Sequence, residues 1–189
     1  MNKFMNFRPL FPTPIACIPN FITSKERLQL IKSINNISHH SHDSIDGDGL
    51  STHKQRPSFL DRGIKKRIQN ALDEYNTECG YRLSKLSNEW SNIQNSGSKL
   101  LEHSHPDSCI SGALYINVDE ESKLYFHNPN PYVYFTFRRE STPYTFEYNW
   151  IPVHNCELIL FPSWLRHGKN DYINEMDERI VVSFNSSAK

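Results

Sequence analysis

The chain has 189 residues, 37 % of them apolar and 12 % aromatic, with 21 basic and 21 acidic side chains. That length suits one domain with a sizeable core, and balanced charge without a basic run gives no support to a nucleic-acid partner. Every apolar stretch is far shorter than a membrane span, which argues against a membrane partner.

The four cysteines, Cys17, Cys79, Cys109 and Cys156, form no C-x-x-C pair, which argues against a zinc knuckle or a thioredoxin-type motif. Residues 1–8 lack the apolar run and small-residue cleavage site of a secretory leader. Free thiols in a reducing cytoplasm are the expectation.

The spacing predicts a first helix over 23–37. Thr23 and Glu26 form a capping-box pair, and Leu28, Ile31, Ile34 and Ile37 recur at helical intervals. Residues 39–58 hold His39, His40, His42, His53, Gly47 and Gly49 among Ser and Asp, and read as a long loop, placed to cover a site. Asp61 is a candidate cap for a second helix with Ile64, Ile68, Leu72 and Tyr75 on one face, ending at Cys79-Gly80. From residue 83 the pattern changes to short strands. Trp90, Asn92 and Gln94 alternate with Glu89, Ser91 and Ile93, and strands follow over 99–105, 109–118, 123–127, 132–138, 144–150, 157–161 and 179–185. Turn residues such as Ser96-Gly97, Asn128-Pro129-Asn130-Pro131 and Ser141-Thr142-Pro143 separate them. The expected fold is mainly β with N-terminal helices: a cupin-like jelly roll, the double-stranded β-helix. We expect a single domain over 1–189, with helical support and the His-rich loop in 1–82 and the jelly-roll core in 83–189.

His103 and His105, one residue apart near the end of a predicted strand, point to the same side of it. His167 follows the apolar strand Leu158-Ile159-Leu160-Phe161, and Arg179 opens the next one. Two imidazoles close together, a third far along the chain and then a cation fit a non-haem iron site that also grips an anionic cosubstrate. Imidazole alone does not choose among iron, zinc, copper and nickel, and three protein ligands leave open positions for chemistry. A single His is more often a surface or satisfied core residue, so the combination carries this reading. Arg179 has a plainer reading as a surface partner of Asp177 or Glu178. Against it, the residue begins an apolar strand, where a guanidinium needs an anion, best a carboxylate taken in two-pronged fashion. His105-Pro106-Asp107 offers a competing His-x-Asp pair with Asp107 as the acidic ligand. We favour His103 with His105. The cluster His39-His40-Ser41-His42-Asp43 lacks strand periodicity on either side and is not taken as a ligand set.

Three blocks carry a family resemblance. His103-Ser104-His105-Pro106-Asp107-Ser108-Cys109-Ile110-Ser111-Gly112-Ala113-Leu114-Tyr115 resembles the H-x-H-P-x-S-x-x-S-G-x-x-Y stretch of a family of 2-oxoglutarate- and iron(II)-dependent oxygenases within the prolyl-hydroxylase-like superfamily. The run from Leu160 to His167 resembles its F-P-S-x-L-x-H stretch, and the run from Glu178 to Asn185 its E-R-I-x-x-S-F-N. Trp90-Ser91-Asn92 is similar to its upstream W-x-N, so the likeness spans residues 88–185. It implies iron ligation by His103 and His167, with His105 where the wider superfamily has Asp or Glu. It also implies that Arg179 binds the far carboxylate of 2-oxoglutarate and that Tyr115 lines the cosubstrate pocket. Asn155-Cys156 stands where the family has a Gly, and Asn tolerates a left-handed turn.

The resulting expectation is a 2-oxoglutarate- and Fe(II)-dependent dioxygenase. It would consume oxygen, release succinate and hydroxylate a substrate C–H bond in a small molecule or a protein. Two rival readings are a three-His cupin dioxygenase that does not use 2-oxoglutarate and a non-enzymatic jelly-roll binding or structural protein.

Overall fold

Both helices start where the sequence supplies a side chain to cap them. In the computed structural model, which describes residues 8, 10–55, 57–135, 140 and 142–189, α1 spans Ser24–Asn35 and α2 spans Arg62–Glu78. The Thr23 hydroxyl accepts from the Glu26 amide at 3.2 Å, and the Glu26 carboxylate accepts from the Thr23 amide at 2.8 Å. This completes the capping box. Asp61 caps α2 by accepting from the Ile64 amide at 2.9 Å. Beyond its end, Gly80 supplies the left-handed turn at φ +68°. The α2 face is the predicted one, with Ile64, Ile68, Leu72 and Tyr75 buried. The α1 face differs: Leu30 and Ile34 are buried, while Leu28 is 56 % exposed. Arg27 explains the rotation. Its guanidinium donates to the Ile116 carbonyl and the Asn117 side chain, which turns the Arg27–Leu30–Ile34 stripe toward the sheet.

Among the described residues ten strands follow in this order: β1 Ala16–Ile18, β2 Ile45–Asp46, β3 Gly49–Ser51, β4 Ser84–Gln94, β5 Lys99–Leu100, β6 Ile110–Asn117, β7 Lys123–His127, β8 Tyr148–Pro152, β9 Leu158–Pro162 and β10 Arg179–Ala188. The main sheet is antiparallel, in the order β1-β9-β6-β10-β4-β3. Its side chains alternate between two cores, as strand periodicity requires. Leu114, Ile116, Leu158, Leu160, Ile180, Val182 and Phe184 pack with the buried stripes of α1 and α2. Ala113, Tyr115, Ile159, Phe161 and Val181 face the other way, onto Leu124, Phe126 and Leu165.

That second face is covered by a second layer, which backbone hydrogen bonds carry across gaps between its named strands. β8 pairs with β7, and β7 bonds to segment 166–168 through Gly168 N–H to Tyr125 and His127 N–H to Arg166. That segment bridges to His103, and Lys169 N–H reaches Leu100. β5 then pairs with β2. Two opposed antiparallel layers with helices outside one of them give the mainly β architecture expected.

Several boundaries differ from the sequence reading. The N-terminal segment supplies both edges of the main sheet, β1 and β3, and His40 bridges Ser51. The expected loop 39–58 is therefore partly strand. The predicted strand 99–105 is strand only over Lys99–Leu100, continuing as the isolated bridge at His103. Pro131–Phe135 is a 3₁₀ turn instead of the start of strand 132–138. Its proline-rich approach favours a turn over a ladder that needs every N–H. Residues 136–138, the rest of that expected strand, and residues 1–7, which carry most of the leader reading, lie outside the described residues. The left-handed residue before β9 is Cys156, at φ 69°, and not Asn155. The Asn155 side chain instead makes two bonds to the Val118 backbone, at 2.9 and 3.0 Å.

Gly112 pairs directly with Phe184 across β6 and β10. A methyl group at Gly112 would lie 2.1 Å from the tip of the Phe184 ring, which is fully buried. Gly112→Ala should destabilise the protein by about 1–3 kcal/mol through overpacking. Thr23→Ala should cost about 1 kcal/mol through the lost cap. Urea denaturation midpoints check both. A Gly112→Ala midpoint equal to that of the native protein would show that the ring moves aside freely.

Candidate metal centre

His103 and His167 face each other in an isolated antiparallel bridge. His103 N–H donates to the His167 carbonyl at 3.0 Å, and His167 N–H returns a bond at 2.9 Å. Directly opposed residues of an antiparallel pair project to the same face of the layer. His105 lies two residues on, and its N–H donates to Ser163 at 2.9 Å. The turn at Pro162–Leu165, closed by Leu165 N–H to the Pro162 carbonyl at 2.9 Å, carries the chain from β9 in the main sheet into the second layer. This turn brings His167, distant in sequence, beside His103 and His105.

Each of the three imidazoles offers a nitrogen within 4.8 Å of the others' nitrogens. Their ring centroids are 4.3, 5.0 and 5.2 Å apart. His103 Nδ1 lies 2.8 Å from the Leu101 carbonyl, and His167 Nδ1 lies 3.1 Å from the Leu165 carbonyl. A carbonyl only accepts, so both Nδ1 atoms carry the proton and both Nε2 lone pairs are free to bind a metal. Burial is the main cause holding all three rings below the ordinary imidazole range, to about 4 for His105 and far down for the fully enclosed His167. Crowding by neighbouring histidines adds to it. At neutral pH the cluster is therefore three neutral imidazoles, the form that ligates a divalent first-row metal. The residues fit such an ion.

The structure brings the favoured trio together and leaves Asp107 out. Asp107 is exposed beside Pro106, and the one group of three potential ligands among the described residues is His103, His105 and His167. The His-rich loop does reach the site, as a wall. His105 packs edge-on to Trp90 at 5.8 Å, Trp90 against His53 at 4.8 Å, and His53 against His42 at 4.7 Å. His40 is exposed.

A cavity of about 440 Å³ lies between the layers and includes all three histidines. The main sheet floors it with Arg179, Val181 and Ser183 from β10, Gln94, Asn92 and Trp90 from β4, and Ala113 and Tyr115 from β6. Arg179 Nη1 donates to Gln94 Oε1 at 2.9 Å, and its guanidinium carbon lies 5.7 Å from the Tyr115 ring centre. Asp177 accepts from the Ser96 amide. Among the described residues no carboxylate pairs with Arg179, so the surface ion-pair reading does not hold. Burial pushes the Tyr115 hydroxyl well above the usual phenol range, partly offset by Arg179, so it stays protonated.

Two supports escaped the sequence reading. Ser111 Oγ bonds Ser163 Oγ and Asn185 Oδ1, each at 2.8 Å, joining one residue from each of the three motif blocks in a buried network. Polar residues set in apolar strands were the available signal. Glu102, beside His103, takes Arg166 Nε at 2.6 Å and the Tyr148 hydroxyl at 2.8 Å. Nothing in the local pattern marks that site.

Residues 88–185, more than half of the chain, match a family model described as "Putative 2OG-Fe(II) oxygenase". Among solved structures the chain is similar to HygX from Streptomyces hygroscopicus with nickel and 2-oxoglutarate bound (11 % identity, 94 % of this chain and 84 % of that one, TM-score 0.59). It is also similar to the viral collagen prolyl hydroxylase vCPH from Paramecium Bursaria Chlorella virus-1 (12 %, 93 % and 96 %, TM-score 0.57) and to a Pseudomonas putida prolyl-4-hydroxylase (11 %, 94 % and 94 %, TM-score 0.59). At such identities these likenesses speak for the fold, the double-stranded β-helix. A comparison with curated proteins finds no match. The family match, over the segment that holds the three histidines and Arg179, shows that the chain belongs to the 2-oxoglutarate- and iron(II)-dependent oxygenases, with Fe(II) and 2-oxoglutarate as its cofactors.

Proposed function

We propose that the protein is a hydroxylase, with His103, His105 and His167 as iron ligands and Arg179 and Tyr115 receiving the far carboxylate of 2-oxoglutarate. One observation carries the reading: three neutral, converging imidazoles share a cavity with a guanidinium that no described carboxylate neutralises. When bound, iron(II) with 2-oxoglutarate and oxygen supplies the oxidising power for C–H hydroxylation, with succinate and carbon dioxide as coproducts.

The chain's own residues hold and shield. The carbonyls of Leu101 and Leu165 fix the His103 and His167 tautomers, which keeps two ligand lone pairs on Nε2 without a proton to displace. Phe161 packs its ring 4.7 Å from His167, and Val181 and Ala113 line the floor, so water is thinned around the centre. Arg179 sits at the far end of the β4–β10 floor from Trp90, which touches His105. Four residues of extended strand separate those ends, roughly 13 Å. A dicarboxylate anchored at Arg179 would reach back toward the histidines and leave the Trp90–His53–His42 wall to the substrate. That substrate is a small molecule or a protein side chain able to enter the cavity.

Oxygen consumption that requires 2-oxoglutarate and yields succinate tests the reaction. Substrate-independent turnover is enough for this first assay, and no succinate from the iron-loaded protein would overturn the reading. His103→Ala, His105→Ala and His167→Ala should each lower bound iron by more than about tenfold. Asp107→Ala and His40→Ala should leave it unchanged, and loss of iron in Asp107→Ala would restore the His-x-Asp assignment.

Arg179→Ala should weaken 2-oxoglutarate binding to the anaerobic manganese form by about 2–5 kcal/mol, because the carboxylate loses its buried partner. Arg179→Lys keeps the charge without the two-pronged geometry and should lose less. Calorimetry measures both. Unchanged affinity in Arg179→Ala would remove this residue from the site.

A further inference from the structure

We infer that Gln94 is a third donor to the far carboxylate of 2-oxoglutarate and the residue that aims Arg179 at it, an inference that rests on the role given above to Arg179. Gln94 stands directly opposite Arg179 in the β4–β10 pair and opposite Gly49 in the β3–β4 pair. It is 3 % exposed, and its backbone carbonyl accepts from Asn174 Nδ2 at 3.4 Å, so its strand end is fixed. The guanidinium of Arg179 can only donate, so the atom facing Nη1 at 2.9 Å must be the amide oxygen of Gln94.

This orientation leaves the amide NH2 as the unused end of a side chain that lines the cavity. It has no hydrogen-bond partner among the described residues. It is not a sealed orphan either, since the fully enclosed side-chain polar atoms without a partner among the described residues are Arg67 Nε and Asn76 Oδ1. The NH2 group is therefore not sealed off, and it belongs to a residue that lines the cavity. A buried amide that spends its acceptor on a cation and shows only N–H groups to a void is built to meet an acceptor there. Beside it stand the remaining guanidinium N–H groups of Arg179 and the protonated Tyr115 hydroxyl, all donors. A carboxylate offers four lone-pair directions and a charge opposite to the guanidinium's, so it satisfies such a set better than a neutral acceptor, and a cationic group offers no acceptor at all.

The same geometry makes Gln94 a positioning residue. Its oxygen holds one arm of the fork, so the plane of the guanidinium is set by β4 and not by the length of the Arg179 side chain. Glutamate in place of glutamine keeps size and shape but replaces the NH2 donors with a second oxygen. It would pair with Arg179 and repel an incoming anion.

The test uses the full chain loaded with manganese under anaerobic conditions. 2-Oxoglutarate and pyruvate are titrated by calorimetry into the native protein, Gln94→Glu and Gln94→Leu. Pyruvate has the same 2-oxo acid end but no far carboxylate. Gln94→Leu should weaken 2-oxoglutarate by about ten- to a hundredfold, the loss expected for a hydrogen bond to a charged group. Gln94→Glu should weaken it further. Pyruvate affinity and manganese affinity should stay within about twofold in both variants, which a general loosening of the fold would not allow. Should Gln94→Glu fail to fold, Gln94→Leu carries the comparison. Native binding with unchanged 2-oxoglutarate affinity in Gln94→Leu overturns the role of Gln94 and leaves that of Arg179 standing. Equal losses for 2-oxoglutarate and pyruvate also overturn it, and no 2-oxoglutarate binding by the native protein overturns both.

Discussion

The two reciprocal backbone bonds between His103 and His167 are the constraint on which the site depends. They join a segment that enters the second layer after β5 to one that enters it after β9. Opposed residues of such a pair share a face, so the bridge alone aims two imidazoles at the main sheet. The period of two adds His105 on the same side. The Pro162–Leu165 turn makes the meeting possible by carrying the chain off the end of β9. The Ser111–Ser163–Asn185 network holds that turn to β6 and β10. Scaffold and ligands are thus one hydrogen-bonded unit, because a buried polar group that loses its partner costs more than the bond was worth.

The ligand set has a consequence for charge. All three histidines are held neutral by burial, and among the described residues no carboxylate joins them. A divalent ion there would meet no negative protein charge at contact distance. Under the proposed function, compensation would come from the anionic cosubstrate, with Arg179 as the partner of its other end. The acidic ligand candidate, Asp107, stays in solvent, where no desolvation cost is incurred. In the arrangement we propose, metal and dicarboxylate would satisfy each other, with Gln94 and Tyr115 beside Arg179 at the far end of the cavity.

The two faces of the main sheet divide the labour. One face is closed by α1 and α2 over Leu114, Ile116, Val182 and Phe184. Gly112 leaves the space that the Phe184 ring fills. The other face shares its residues between a smaller core and the cavity floor, so Tyr115 and Val181 serve packing and pocket together. Strands, not loops, carry Arg179 and Gln94, which suits the anion-binding role proposed for them.

Local patterns determined a good deal by themselves. The caps at Thr23 and Asp61, the α2 stripe, the long strands β4, β6, β9 and β10, and the pair His103 and His105 all rest on interactions within a few residues or on period-two alternation. Tertiary structure decided the rest. Arg27 rotated α1 so that Leu28 faces solvent, which helical spacing alone does not reveal. The expected loop 39–58 became an edge strand and an aromatic wall because β4 offered it a free ladder. In one dimension His103 and Asp107 both stand two residues from His105, so spacing alone does not exclude Asp107, even though the His103–His105 pair is favoured. The turn after β9 and the bridge at His167 brought His103 and His105 together with His167 and left Asp107 exposed, and the register of β10 on β4 placed Gln94 against Arg179. Register is a property of two strands at once, so neither strand's sequence contains it.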